Sequence, residues 1–252
     1  FKDIEQELST LQSKFEENVL DATNAWELPI DNERDLAGLP ESALAAARQA
    51  AERDGKTGWT FTLHMPSYLP LMMYADNREL RRKMYEASAT RASELGPNAG
   101  RFDNSANMQR ILALRAEKAK LLGFPNFAAL SIATKMADST DDVFSFLRDL
   151  AARARPAAQK EFAELKAFAA ARFGANGLEA WDIPYYSEKL RQERYAFSEE
   201  DLRPYFPEPQ TVGGMFDVVR RLYGLEISEV LGVELWHPDA RFYEIRDSAG
   251  TV

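Results

Sequence analysis

Apolar residues return every third or fourth position over most of this chain, and the spacing shortens to the alternation of a strand in only two places. Near the start, Ile4, Leu8, Leu11, Phe15 and Val19 fall at intervals of four, three, four and four. They make one stripe on a helix predicted over residues 1–24, with Lys, Glu and Gln on the opposite face. Leu28-Pro29-Ile30-Asp31 reads as a loop. Pro40 suits a first helical position, ahead of an Ala-rich helix over 42–53. Asp54-Gly55 ends that helix, because glycine tolerates the left-handed conformation needed after a last turn. Trp59-Thr60-Phe61-Thr62-Leu63 then alternates large apolar residues with threonine, the period and composition of a strand. A short helix over 67–74 follows, and then a charged one from about 77 to 93 with Asn77 as its N-cap.

Gly96-Pro97-Asn98-Ala99-Gly100 is a strong loop signal. Beyond it a helix is predicted over 107–122, closed by Gly123, and Phe124-Pro125 turns into a short helix reaching Leu130. Ser139-Thr140-Asp141-Asp142 places a cap and two acids where a helix dipole favours them, opening a helix to Phe173 with a kink or break at Pro156. A turn over 174–177, a helix over 184–194 and a short turn at Ser198-Glu199-Glu200-Asp201 come next. A stiff aromatic connector over 204–209 leads to a helix over 212–223. Arg241-Phe242-Tyr243-Glu244-Ile245-Arg246 alternates like a strand, and Asp247-Ser248-Ala249-Gly250 reads as a hairpin turn with only Thr251 and Val252 left for its second arm. Two residues cannot hold such an arm, and the first helix starts uncapped and already amphipathic, so the sequence reads as a piece of something longer. The expected fold class is mainly α, with a short strand near 58–63 and the start of a β-hairpin near 241–252. Residues 1–252 are expected to form a single helical region. A finer division sets a helical hairpin at 1–55 against a main helical lobe with a terminal strand at 56–252.

Composition narrows the chemistry. At 252 residues the chain has room for one or two domains of roughly 150 residues each. The formal net charge of −9 argues against a nucleic-acid partner, which would call for a basic stripe. Cysteine is absent, which excludes disulfides, thiolate catalysis and thiolate-bound metals and fits a reducing, cytoplasmic setting. The uncharged stretch 57–75 is long enough to span a bilayer, yet Pro66, Pro70, His64 and its hydroxyl residues make it protein core, and no membrane partner is expected.

Histidine is the most restrictive count, since His64 and His237 are the only two. An HExxH motif needs two imidazoles one helical turn apart to reach one zinc ion, and this chain has no such pair. His237 and Asp239 flank Pro238, a spacing that rarely sets a carboxylate on a neighbouring ring, and His64 reads as a core or cleft histidine. Asp141-Asp142 and Glu199-Glu200-Asp201 could serve acid–base or hard-metal chemistry, but their positions at helix starts read as capping. Gly213-Gly214 lacks phosphate-loop spacing and reads as close packing or a helix start. Arg78, Arg81, Arg82 and Lys83, interleaved with Glu79 and Glu86, read as a solvated helix face. Tyr68, Trp59 and Tyr185 read as core packing in preference to ligand contact. No catalytic, metal-binding or substrate-binding residue is assigned within the chain.

Several phrases in order resemble the thimet-oligopeptidase-like zinc metallopeptidases, the bacterial oligopeptidases in particular. They are Gly58-Trp59-Thr60-Phe61-Thr62-Leu63 with Pro66-Ser67-Tyr68, Asn77-Arg78-Glu79-Leu80-Arg81, Leu121-Leu122-Gly123-Phe124 and Lys135-Met136-Ala137. Trp181-Asp182 with Tyr185-Tyr186-Ser187-Glu188-Lys189-Leu190, Tyr205-Phe206-Pro207, Leu222-Tyr223-Gly224-Leu225, Trp236-His237-Pro238-Asp239 and Arg241-Phe242-Tyr243-Glu244 complete the set. The resemblance implies a two-lobed, channel-containing α-helical enzyme that hydrolyses short peptides. It implies one catalytic zinc, held by HExxH and a further glutamate, all outside residues 1–252. This chain would then be the helical lobe and channel wall, inactive alone and binding no zinc itself, its partners being short peptides and the remainder of its own polypeptide. The rival reading is a self-sufficient helical domain that binds a peptide or a partner helix without catalysis.

Overall fold

A computed structural model describes residues 1–197, 199–247 and 249–250, and they divide into two compact units, Phe1–Ala196 and Phe197–Val252. The first unit opens with α1 (Lys2–Asn24) and then forms a two-stranded antiparallel sheet from β1 (Glu27–Ile30) and β2 (Trp59–Thr62). Leu28 faces Phe61 across this sheet and Ile30 faces Trp59, so the segment read as a loop at 28–31 is largely a strand. Pro29 hid it. Proline gives no N–H to a ladder, but the sheet has only two strands, so Pro29 lies on an edge strand where that loss is tolerated.

Between the strands runs α2 (Glu41–Arg53), which starts one residue earlier than the Ala-rich pattern suggests, with Pro40 as its extended N-cap and not its first helical residue. Its buried residues are Ala43, Ala47 and Ala51, one face of methyl groups that lets the helix lie close against the sheet. The main core gathers Ile30 and Phe61 from the sheet, Leu71 from α3 (Met65–Tyr74) and Met84 from α4 (Arg78–Ala89), with Trp26 just before β1 and Leu36 from a 3-10 turn (Glu33–Leu36) after it. Asn77 caps α4, its side-chain oxygen accepting from the N–H groups of Glu79 at 3.0 Å and Leu80 at 3.4 Å.

A second cluster joins α1 to α5 (Ser105–Leu121) through Ile4, Leu8, Ile111 and Leu114. Buried amides extend the seam: Asn18 donates to the Asn104 side chain at 2.9 Å, and Asn104 donates to the Phe15 carbonyl at 3.1 Å. After α6 (Phe127–Ile132), α7 (Thr140–Phe173) runs unbroken for 34 residues. The Ser139 hydroxyl accepts from the Asp142 N–H at 3.1 Å at its start, and Gly174 ends it with φ of 66°. Of the kink or break expected at Pro156, the break does not occur. Proline costs the Ala152 carbonyl its partner, but Ala152 and Pro156 are both exposed, so water can serve that carbonyl. Phe144, Phe146, Leu147 and Leu150 are exposed along the first half of this helix. The unit closes with α8 (Ile183–Tyr195).

In the second unit, α9 (Glu199–Leu202) and α10 (Glu208–Tyr223) precede an antiparallel pair, β3 (Glu226–Glu229) and β4 (Tyr243–Arg246). Ile227 faces Ile245, and the Phe216 ring of α10 meets the Tyr243 ring edge-on at 5.1 Å. The predicted terminal strand thus forms, but its partner is an upstream strand. Glu226-Ile227-Ser228-Glu229 has a single apolar residue and carries no readable alternation. Asp247 does open a turn, accepting from Ala249 and Gly250, whereas Ser198, Ser248, Thr251 and Val252 lie outside the described residues. Among the described residues no helix is long and apolar enough to cross a membrane.

Candidate functional site

The densest polar construction in the chain centres on Asp182, which no local pattern marked as special. A short 3-10 turn (Ala180–Asp182) ahead of α8 carries it, and a reciprocal capping box sets its rotamer: the Glu179 N–H donates to Asp182 at 3.0 Å. Arg78, near the start of α4, donates to both carboxylate oxygens, with its Nη2 at 2.7 Å from Oδ2 and its Nε at 3.0 Å from Oδ1. Arg81 lies three residues on, on the same helix face, and donates from Nη2 to Oδ1 at 3.0 Å. Asp182 and Arg81 are each only 1% exposed. Arg81 also donates to the carbonyls of Ala75 at 2.6 Å, Asp76 at 3.2 Å and Trp181 at 3.3 Å, and its guanidinium lies 4.0 Å from the centre of the Tyr185 ring.

The basic run at 78–83 is therefore not a solvated face throughout. Arg82 behaves that way, paired with Glu79 and Glu86 on its own helix, but Arg81 is a core residue and Arg78 bridges to another element. The reason is long-range. The carboxylate that both cations share is about a hundred positions away in sequence, 101 for Arg81. Burial by itself would raise the Asp182 carboxyl, yet the hydrogen bonds from Arg78, Glu179 and Arg81 outweigh it and hold the group below the usual carboxylate range. Beside it the Tyr185 hydroxyl donates to Asp76 at 2.8 Å, and burial followed by that hydrogen bond pushes its pKa well up. One carboxylate shared by two guanidinium groups, with the Tyr185–Asp76 hydrogen bond beside it, fastens α4 to the start of α8.

The other sequence candidates are dispersed. His64 is exposed at the N-terminal end of α3 and lines a groove of about 480 Å³ with Ala46, Ala50, Thr60 and Ser67, so it is a cleft residue and not a core one. His237 is exposed, and its Nδ1 accepts from the Asp239 N–H at 3.1 Å, so that nitrogen does not donate to the Asp239 carboxylate 3.7 Å away. Ser139 donates to Asp142 at 2.8 Å while accepting its N–H, a helix cap as expected. Glu200 pairs with Arg203 one turn along. Gly213 and Gly214 are neither a close-packing point nor a helix start. They lie inside α10, and a Cβ at either would meet nothing within 4 Å. Trp59 and Tyr185 are buried and Tyr68 half-buried against the main core, as packing residues should be. A second groove, about 510 Å³ between α1 and α5, is lined by Phe15, Met108, Ile111, Leu112 and polar Gln12, Glu16 and Arg115.

The sequence pattern of the peptidase family M3 matches residues 71–252, which covers most of the chain. The chain belongs to peptidase family M3. This M3 chain is 53% identical to oligopeptidase A of Escherichia coli (strain K12) over 98% of its own length and 36% of that protein's. It is 44% identical to a probable cytosolic oligopeptidase A of Arabidopsis thaliana, across 99% of the chain and 36% of the relative. With the dipeptidyl carboxypeptidase of Salmonella typhimurium it shares 34% identity, again over 99% and 36%. The chain thus spans little more than a third of the length of these relatives. Among its described residues no three His, Asp or Glu side chains come together as a metal site, and the two histidines fall in different compact units. That donor set, among the described residues, does not fit a zinc ion.

Proposed function

We propose that residues 1–252 are the helical, channel-wall portion of a zinc-dependent oligopeptidase that hydrolyses short peptides in the cytoplasm. The zinc ligands, an HExxH pair and a further glutamate, are carried elsewhere on the same polypeptide. The observation that supports this reading is identity sustained at 53% over 98% of the chain, through both compact units. In such an enzyme the metal supplies a polarised water and scissile carbonyl. The residues present here contribute framework. The Asp182 node ties α4 to α8, the alanine face of α2 brings that helix against the sheet, and the walls so held admit an extended peptide and turn away a folded protein. The partners on this reading are short peptides and the rest of the polypeptide, with neither nucleic acid nor membrane.

The test has two arms. The 252-residue chain, incubated with added zinc and quenched fluorescent peptides, is expected to show no hydrolysis, and the reading frame through Val252 is expected to continue into an HExxH segment. Hydrolysis by the isolated chain that a chelator abolishes, or a stop codon directly after Val252, overturns the proposal.

A further inference from the structure

We draw no further inference here: the strongest candidate, the apolar groove between α1 and α5 floored by Phe15 and Ile111, is an unpartnered face, and nothing in the structure shows what covers it.

Discussion

Replacing Asp182 with alanine tests the node that holds Arg81 and Asp182, two of the three buried charged residues among those described. The substitution removes the acceptor of Arg78, Arg81 and the Glu179 N–H together. The two arginines do not suffer equally. Arg78 has a side chain 56% exposed, so water takes over its hydrogen bonds once the carboxylate is gone. Arg81 is 1% exposed and is left as a buried cation with three carbonyls and a tyrosine ring but no counter-charge. Breaking a buried pair in this way costs about 3–5 kcal/mol. With a urea m-value near 3 kcal/mol/M, that is a fall in unfolding midpoint of roughly 1–2 M. The signal to follow is far-UV circular dichroism, which reads the loss of helix on unfolding. Arg78→Ala should cost less than Asp182→Ala in the same assay, because the buried carboxylate keeps Arg81 and the Glu179 N–H. Arg81→Met added to Asp182→Ala should recover about 1 kcal/mol or more, because an apolar side chain no longer needs the missing carboxylate. The reasoning fails if Arg78→Ala is as damaging as Asp182→Ala, or if the double variant is worse than the single.

Three further outcomes can be measured on the same protein. Ala196 holds φ at 55° as the C-cap of α8, so Ala196→Gly should relieve strain and raise stability by about 0.5–1 kcal/mol in thermal unfolding, after the extra freedom glycine gives the unfolded chain. Gly213→Ala and Gly214→Ala in α10 should each stabilise by about 0.5–1 kcal/mol, read from far-UV circular dichroism on urea titration, and a loss at either position would mean that the open space there is occupied in solution. The pH profile should show one acid limb and one alkaline limb from the same node. Asp182 has its folded pKa lowered, so its contribution is complete above the unfolded value of about 3.9 and is lost as pH falls below that. Tyr185 has its folded pKa raised, so its contribution is complete below about pH 10 and declines as pH rises beyond it. Asp182→Asn should flatten the acid limb in denaturant melts between about pH 2 and 4, and an unchanged limb would remove Asp182 as its source.

What could be read from the chain and what could not divide by the range of the interaction. Caps and periodicity are local, and Asn77, Ser139 and the stripe Ile4–Leu8–Leu11 act as their spacing says. The β1 strand was hidden because its single proline looks like a loop residue until an edge position makes it tolerable. β3 was hidden because one isoleucine among polar residues has no period, and only the ladder with β4 defines it. Asp182 was the largest omission. Trp181-Asp182 is one of the phrases by which the chain resembles its relatives, yet nothing near it discloses that Arg78 and Arg81 wait on another helix. The spacing of those two arginines shows that they share a face, but not that the face is buried. Composition constrains the candidate chemistry more directly than any local pattern does. An acid–base pair or a zinc site is a demand for particular residue types in a small volume, and a chain with two histidines and no cysteine meets few such demands before it folds. Folding then placed the histidines in separate units and used the carboxylates for caps and ion pairs. Among the described residues the buried pair Arg81 and Asp182 joins α4 to the turn that opens α8, while exposed apolar residues are spread over both units, Phe144, Phe146, Leu147 and Leu150 on α7 and Met215, Val218 and Leu222 on α10 among them.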